Sequence, residues 1–183
     1  MVSDGIVSGE LTLASSDFEL FGLPCAFQLD VGELDQKWKQ LQRQVHPDHF
    51  STQTTADKRL AMQWSVRVNE AYQRLKHPVR RAAYLCELNG APIRAEGNTN
   101  MPADFLIQQM QWREELDEAH ESDAIELLRH RVKNDMQLLL QQCAQAIDQE
   151  ANWTQAAQSV RALMFIERFL QDIDHRLERI ENN

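Results

Sequence analysis

His46, Pro47, Asp48 and His49 stand in a row, two imidazoles bracketing a carboxylate. Residues of these types can bind a metal as His-x-x-His or move protons as an acid–base pair. Both uses suit a helix face, and Pro47 breaks the helix between the two histidines by disfavouring helical backbone at His46. His120, His130 and His175 bring no acidic or thiol partner at ligand spacing. The cysteines, Cys25, Cys86 and Cys143, are odd in number and contain no Cys-x-x-Cys pair. That pattern fits reduced thiols in a cytoplasmic protein better than a disulfide framework or a cysteine-built metal site. A glycine loop able to cradle phosphate is missing, so ATP is not expected to bind here. The expectation is a protein without catalytic residues, metal or cofactor, whose His-Pro-Asp turn touches another protein. A plain interhelical turn with a helix-stopping proline is the simpler alternative for these three letters.

The turn follows a predicted helix over residues 31–45, in which Leu34, Trp38, Leu41 and Val45 recur on one face. Asp30 is its N-cap candidate. Lys37, Lys39 and Arg43 lie off the apolar stripe, with Lys39 and Arg43 one turn apart. A further helix is expected over about 56–76, striped by Ala61, Trp64, Val68, Ala71 and Leu75 with Tyr72 beside them. Two such helices joined by a polar loop close as an antiparallel pair. A short helix over 17–23, capped from Ser15, Ser16 or Asp17, covers one side of the pair, and Gly22 and Pro24 end it. Pro78 opens another helical stretch that stops at Asn89-Gly90. The displayed Asp48 can pair with an arginine on a partner. Lys37, Lys39 and Arg43 add attraction for an acidic surface.

Residues 90–102 hold two Gly, two Pro and two Asn and read as a linker. The expected organisation is a flexible extension at 1–16, a first domain at 17–89, the linker at 90–102 and a second domain at 103–183. The second domain reads as three helices, over about 102–119, 122–148 and from Trp153 onward, packed as a bundle. The fold class is all-α: no alternating strand pattern, repeat or low-complexity tract occurs.

Net charge is −9 over 183 residues, unevenly placed. Residues 1–90 carry ten Lys/Arg against eleven Asp/Glu, and residues 91–183 nine against seventeen. Such an acidic second half disfavours nucleic acid, whose phosphates need clustered cations. No apolar run reaches the roughly 20 residues of a membrane span, so no membrane partner is expected. The first 16 residues lack the basic start and apolar stretch of a secretory signal.

The helix at about 102–119 has two non-polar faces. Phe105, Trp112, Leu116 and Ala119 form a buried stripe; Leu106, Ile107 and Met110 begin a second face that Gln111, Glu114 and Glu118 finish with acid. One helix of a three-helix bundle cannot bury both unless something else covers the second, either the rest of this chain or a partner. Phe165 lies roughly 110° from the centre of its own helix's stripe and is expected to be partly exposed near this helix.

With Phe18-Glu19-Leu20-Phe21-Gly22-Leu23 before it and Asn69-Glu70-Ala71-Tyr72-Gln73-Arg74-Leu75 after it, the His46-Pro47-Asp48 hairpin closely resembles a J-domain. That module engages chaperones of the seventy-kilodalton heat-shock class. Leu75-Lys76-His77-Pro78-Val79-Arg80-Arg81-Ala82-Ala83-Tyr84-Leu85 and the run from Phe105 to Glu118 extend the likeness to the HscB co-chaperone family, over nearly the whole chain after residue 16. The resemblance implies an N-terminal J-domain helical hairpin joined to a C-terminal three-helix bundle. It implies an HscA-type chaperone as partner of His46, Pro47, Asp48, Lys37, Lys39 and Arg43. It also implies an IscU-type iron–sulfur scaffold as partner of Leu106, Ile107, Met110, Gln111, Glu114, Glu118 and Phe165. Gln111 stands where the family usually has glutamate, and His49 where lysine is common, so each position puts one charge contact in doubt. A general J-protein for unfolded clients is a poorer fit, because its extended peptide groove is usually β-rich.

Overall fold

Ser16 starts the first helix through a reciprocal capping box: its hydroxyl accepts from the Glu19 amide and the Glu19 carboxylate accepts from the Ser16 amide. The bond to the Ser16 backbone, foremost, holds the Glu19 carboxyl below its ordinary range. The helix, α1, runs Asp17–Phe21 and ends at Gly22, whose φ of 57° is the left-handed conformation that glycine adopts without a Cβ penalty. In the computed structural model, which describes residues 11–45, 54–93 and 101–181, six further helices follow: α2 Val31–Val45, α3 Thr55–Lys76, α4 Pro78–Leu88, α5 Ala103–Glu118, α6 Ser122–Asp148 and α7 Trp153–Glu181. No strand occurs among the described residues.

Two compact units divide between Arg81 and Ala82. This point lies inside α4, ahead of the 90–102 stretch read as a linker. Glycine and proline density marks where a helix must stop; it is silent on which core the end of the preceding helix joins. Here Ala82, Leu85 and Cys86, α4 residues beyond this division, are fully buried.

In the first unit, α2 and α3 are antiparallel: Asp35 pairs with Tyr72 and Lys76, and Trp38 and Gln42, further along α2, with Asn69. The core is Phe18, Leu34, Val45, Ala61, Val68, Ala71 and Leu75, each 1% exposed or less. Beside it the Trp38 and Tyr72 rings stack at 4.4 Å. The Trp38 indole N–H donates to the Asn69 side-chain oxygen at 3.0 Å, so the polar end of a largely apolar ring is satisfied. The Tyr72 hydroxyl donates to Asp35 at 2.8 Å and accepts from Lys76 at 2.6 Å. That Tyr72 bond is the main reason the Asp35 carboxyl lies below its ordinary range. The Asp35 contribution is therefore present at neutral pH and is lost as pH falls through the lowered value.

The sequence offered Ser15, Ser16 and Asp17 as caps. Ser16 takes the cap, and Asp17 does something else. Its carboxylate is wholly buried and pairs with Arg67 at 2.7 Å and Arg74 at 3.3 Å, both on α3. Arg67 also donates to the carbonyls of Leu13 and Ser15 at 3.2 and 2.7 Å. The end of the segment expected to be a flexible extension is thus held against α3.

In the second unit, α5, α6 and α7 form the expected bundle. Gln108 bonds Asp135 and Glu115 pairs with Arg131, so α5 and α6 run antiparallel. Trp112 stacks on Phe169 at 5.9 Å, and Phe105 meets Phe165 edge-on at the same separation, so α5 and α7 run parallel. Ile125, Leu128, Val132, Ile166, Phe169 and Ile173 fill the middle.

Cys86 and Cys143 are buried in this unit and Cys25 is exposed in the other. Burial pushes the Cys143 thiol up to about 12 and Cys86 up to about 11, with Arg161 opposing the latter. Thiolate is the reacting form. In native protein, iodoacetamide is expected to label Cys25 alone on a timescale of minutes, and all three cysteines once urea is added. Rapid native labelling of Cys143, read by peptide mass spectrometry, would contradict this burial.

Candidate functional surfaces

The cations on α2 do not share one role. Asp30 caps the helix as expected, its carboxylate accepting from the amides of Gly32 and Glu33 at 2.8 and 3.1 Å. One turn on, the Lys37 ammonium donates to the Gly22 carbonyl at 2.8 Å and pairs with Glu33 at 2.8 Å. Lys37 thereby ties the end of α1 to α2, and its donors are directed inward. Lys39 and Arg43 are exposed one turn apart on the face turned away from the core. The antiparallel pairing also brings the start of α3, with Lys58 and Arg59 exposed, to the same end of the hairpin as Arg43. Sequence reasoning passed over Lys58 and Arg59, because only the pairing direction shows which end of α3 adjoins the end of α2. His46, Pro47, Asp48 and His49 lie outside the described residues.

On α5 the two faces separate as the periodicity requires. Trp112 and Ala119 are buried, with Phe105 and Leu116 packed partly beneath them. Leu106, Ile107 and Met110 are 44%, 56% and 71% exposed, values far above those of core residues of the same types. Gln111, Glu114 and Glu118 continue the same face and are exposed too. Glu115, off this face, is engaged by Arg131 of α6. The helix thus presents apolar side chains at its start and carboxylates at its end. Such a surface suits a partner segment with an apolar tip and basic flank.

Phe165 is half-buried on α7. It stacks with Phe169 at 6.1 Å, and the Arg113 guanidinium of α5 lies over its ring at 5.5 Å. It joins the α5 face from the α7 side, as its angular position implied. Across α5, on the α6 side, Ile107 and Gln111 border an open cleft of about 630 Å³ whose far wall includes Leu138. Leu138 was missed: it lies outside the core stripe of α6, and isolated surface leucines are common. Among the described residues, no group of three His, Cys, Asp or Glu is placed to hold a metal, and no helix is long and apolar enough to cross a membrane.

The first unit thus holds a basic-edged antiparallel hairpin, and the second a three-helix bundle with an exposed apolar and acidic face. Residues 101–174 match the family described as the HSCB C-terminal oligomerisation domain. A Paraburkholderia xenovorans protein named as a co-chaperone protein HscB homolog is 42% identical over 174 residues, covering 93% of this chain and 99% of the relative. A Bordetella parapertussis protein of the same name is 42% identical over 161 residues, 87% of this chain and 95% of the relative. The chain belongs to the HscB co-chaperone family. Among solved structures, the chaperone HscB from Vibrio cholerae superposes with a TM-score of 0.80 at 32% identity, over 91% of this chain and 99% of that one. Human co-chaperone HscB gives 0.85 at 28% identity, over 92% and 84%. The Saccharomyces cerevisiae Jac1 co-chaperone, at 20% identity and a TM-score of 0.72, shares the fold.

Proposed function

We propose that this chain delivers an IscU-type iron–sulfur scaffold to an HscA-type chaperone and stimulates that chaperone's ATPase. The exposed apolar-then-acidic face of α5 carries this reading: a surface of that make-up on a small bundle costs solubility unless a partner uses it. Leu106, Ile107 and Met110 supply the apolar contact, with Phe165 flanking them. Glu114 and Glu118 meet basic groups on the scaffold, and Gln111 contributes hydrogen bonding where a carboxylate would add charge.

In the first unit, Lys39 and Arg43 attract an acidic face of the chaperone, and His46, Pro47 and Asp48 at the hairpin's turn help trigger hydrolysis on the chaperone. Lys37 adds to the positive field while its contacts stay internal. ATP and its hydrolysis belong to the chaperone, and the cluster belongs to the scaffold as cargo. Hydrolysis then tightens the chaperone's grip on the scaffold and favours cluster release or transfer. The reading assigns the chain to the cytoplasm, where its thiols stay reduced.

The test is steady-state ATP hydrolysis by a purified HscA-type chaperone with this protein, with and without the scaffold. Stimulation greater with both than the product of the separate effects is expected. Stimulation indifferent to the scaffold keeps the chaperone partner and removes the client. A flat response to both refutes the assignment.

A further inference from the structure

Leu138 is 57% exposed on α6 and lines the cleft beside α5 together with Ile107 and Gln111. Phe105 and Leu139 add apolar lining, beside the polar Gln108, Asp135 and Gln142. Ile107 belongs at once to this cleft and to the exposed α5 face, so the two surfaces are continuous. Gln108 and Asp135 brace the two helices across the cleft by a hydrogen bond of 3.1 Å, which holds its walls at a fixed spacing.

We infer that the scaffold-binding surface extends from α5 over this cleft onto α6, with Leu138 as a specificity-determining contact for an apolar side chain of the scaffold flanked by basic residues. This rests on the reading of α5 given above. Charge selects the occupant. Besides Glu115, α5 carries Asp104, Glu114, Asp117 and Glu118 against Arg113 alone. A second copy of this chain would bring the same acid against it, and like charges in apposition oppose such a pairing. A basic-flanked partner meets the acid favourably and fills the cleft with its apolar side chain.

Leu127 supplies the control. It is 63% exposed on the same side of α6, about 16 Å further along the axis, and is not among the residues lining the cleft. Calorimetric titration with a purified IscU-type scaffold is expected to show Leu138→Gln binding about tenfold more weakly, as for a central apolar contact. Leu127→Gln should stay within about twofold. Both positions are exposed, so thermal midpoints should not move, and stimulation of the chaperone without scaffold should be unchanged for both. Full affinity in Leu138→Gln while Met110→Ala weakens binding overturns the extension and leaves the α5 face standing. Full affinity in both variants overturns the scaffold reading itself. A change in sedimentation rather than in scaffold affinity assigns the cleft to a second copy and also overturns the inference.

Discussion

Asp48→Asn is expected to abolish stimulation of the chaperone ATPase and leave scaffold affinity unchanged, whereas the double variant Ile107→Ala/Met110→Ala does the reverse. The two effects separate because the residues belong to different compact units, divided at Arg81 and Ala82. Asparagine keeps the size of aspartate but loses the charge that pairs bidentately with an arginine.

On α5, Met110 and Ile107 are among the most exposed large apolar side chains of the second unit, and a partner that covers them gains their full burial. Truncation at the centre of an interface typically costs more than 1 kcal/mol per residue. The pair should therefore weaken scaffold binding about 100-fold, close to 3 kcal/mol. Neither side chain supports the bundle core, so the thermal midpoint should hold within a few degrees. Calorimetry against the scaffold and ATPase assays with chaperone alone read the two halves independently. Loss of both activities in either variant would mean that the units act as one surface, and the division of labour would be wrong.

Much of this architecture was legible from periodicity. Residues 31–45 and 122–148 fold as helices with the expected ends, because strong apolar stripes there meet clear stops: Pro47 after one, the polar run from Gln149 after the other. The double character of α5 was legible for the same reason, since a helix with two apolar faces shows itself in spacing alone. Three features that were not legible share one cause. Lys37 reads as one of three equivalent cations, and only the approach of the α1 end shows that its ammonium is bonded to Gly22. Leu138 reads as a stray leucine until α5 lies beside it. Asp17 reads as a cap, because one residue separates a capping position from a buried one and local propensity does not distinguish them. In each case a contact distant in sequence sets the role. A pattern confined to one helix carries no information about such contacts.

Asp17→Asn is expected to destabilise the first unit by about 3 kcal/mol, the low end of the range for breaking a buried ion pair. The carboxylate has no solvent exposure, while the Arg67 and Arg74 side chains are 19% and 40% exposed. Removing its charge leaves Arg67, the less exposed, facing a neutral amide. Arg74 reaches water more easily, which keeps the cost near that low end. The damage should spread along α3, since Arg67 also holds the carbonyls of Leu13 and Ser15 and an arginine that repositions releases them. For a unit of this size, 3 kcal/mol corresponds to a fall in midpoint of roughly 12–24 °C. Hydrogen exchange by mass spectrometry separates the units: peptides from α1 and α3 should exchange faster in the variant, and those from α6 and α7 should not change. Chaperone stimulation should fall with temperature earlier than in the parent protein, because α2 is positioned by α3 through Trp38, Asn69, Tyr72 and Asp35. Scaffold affinity at the same temperatures should persist. Unchanged exchange across α1 and α3 would show that the buried carboxylate contributes little and that the apolar contacts of Phe18 and Phe21 hold α1 in place by themselves.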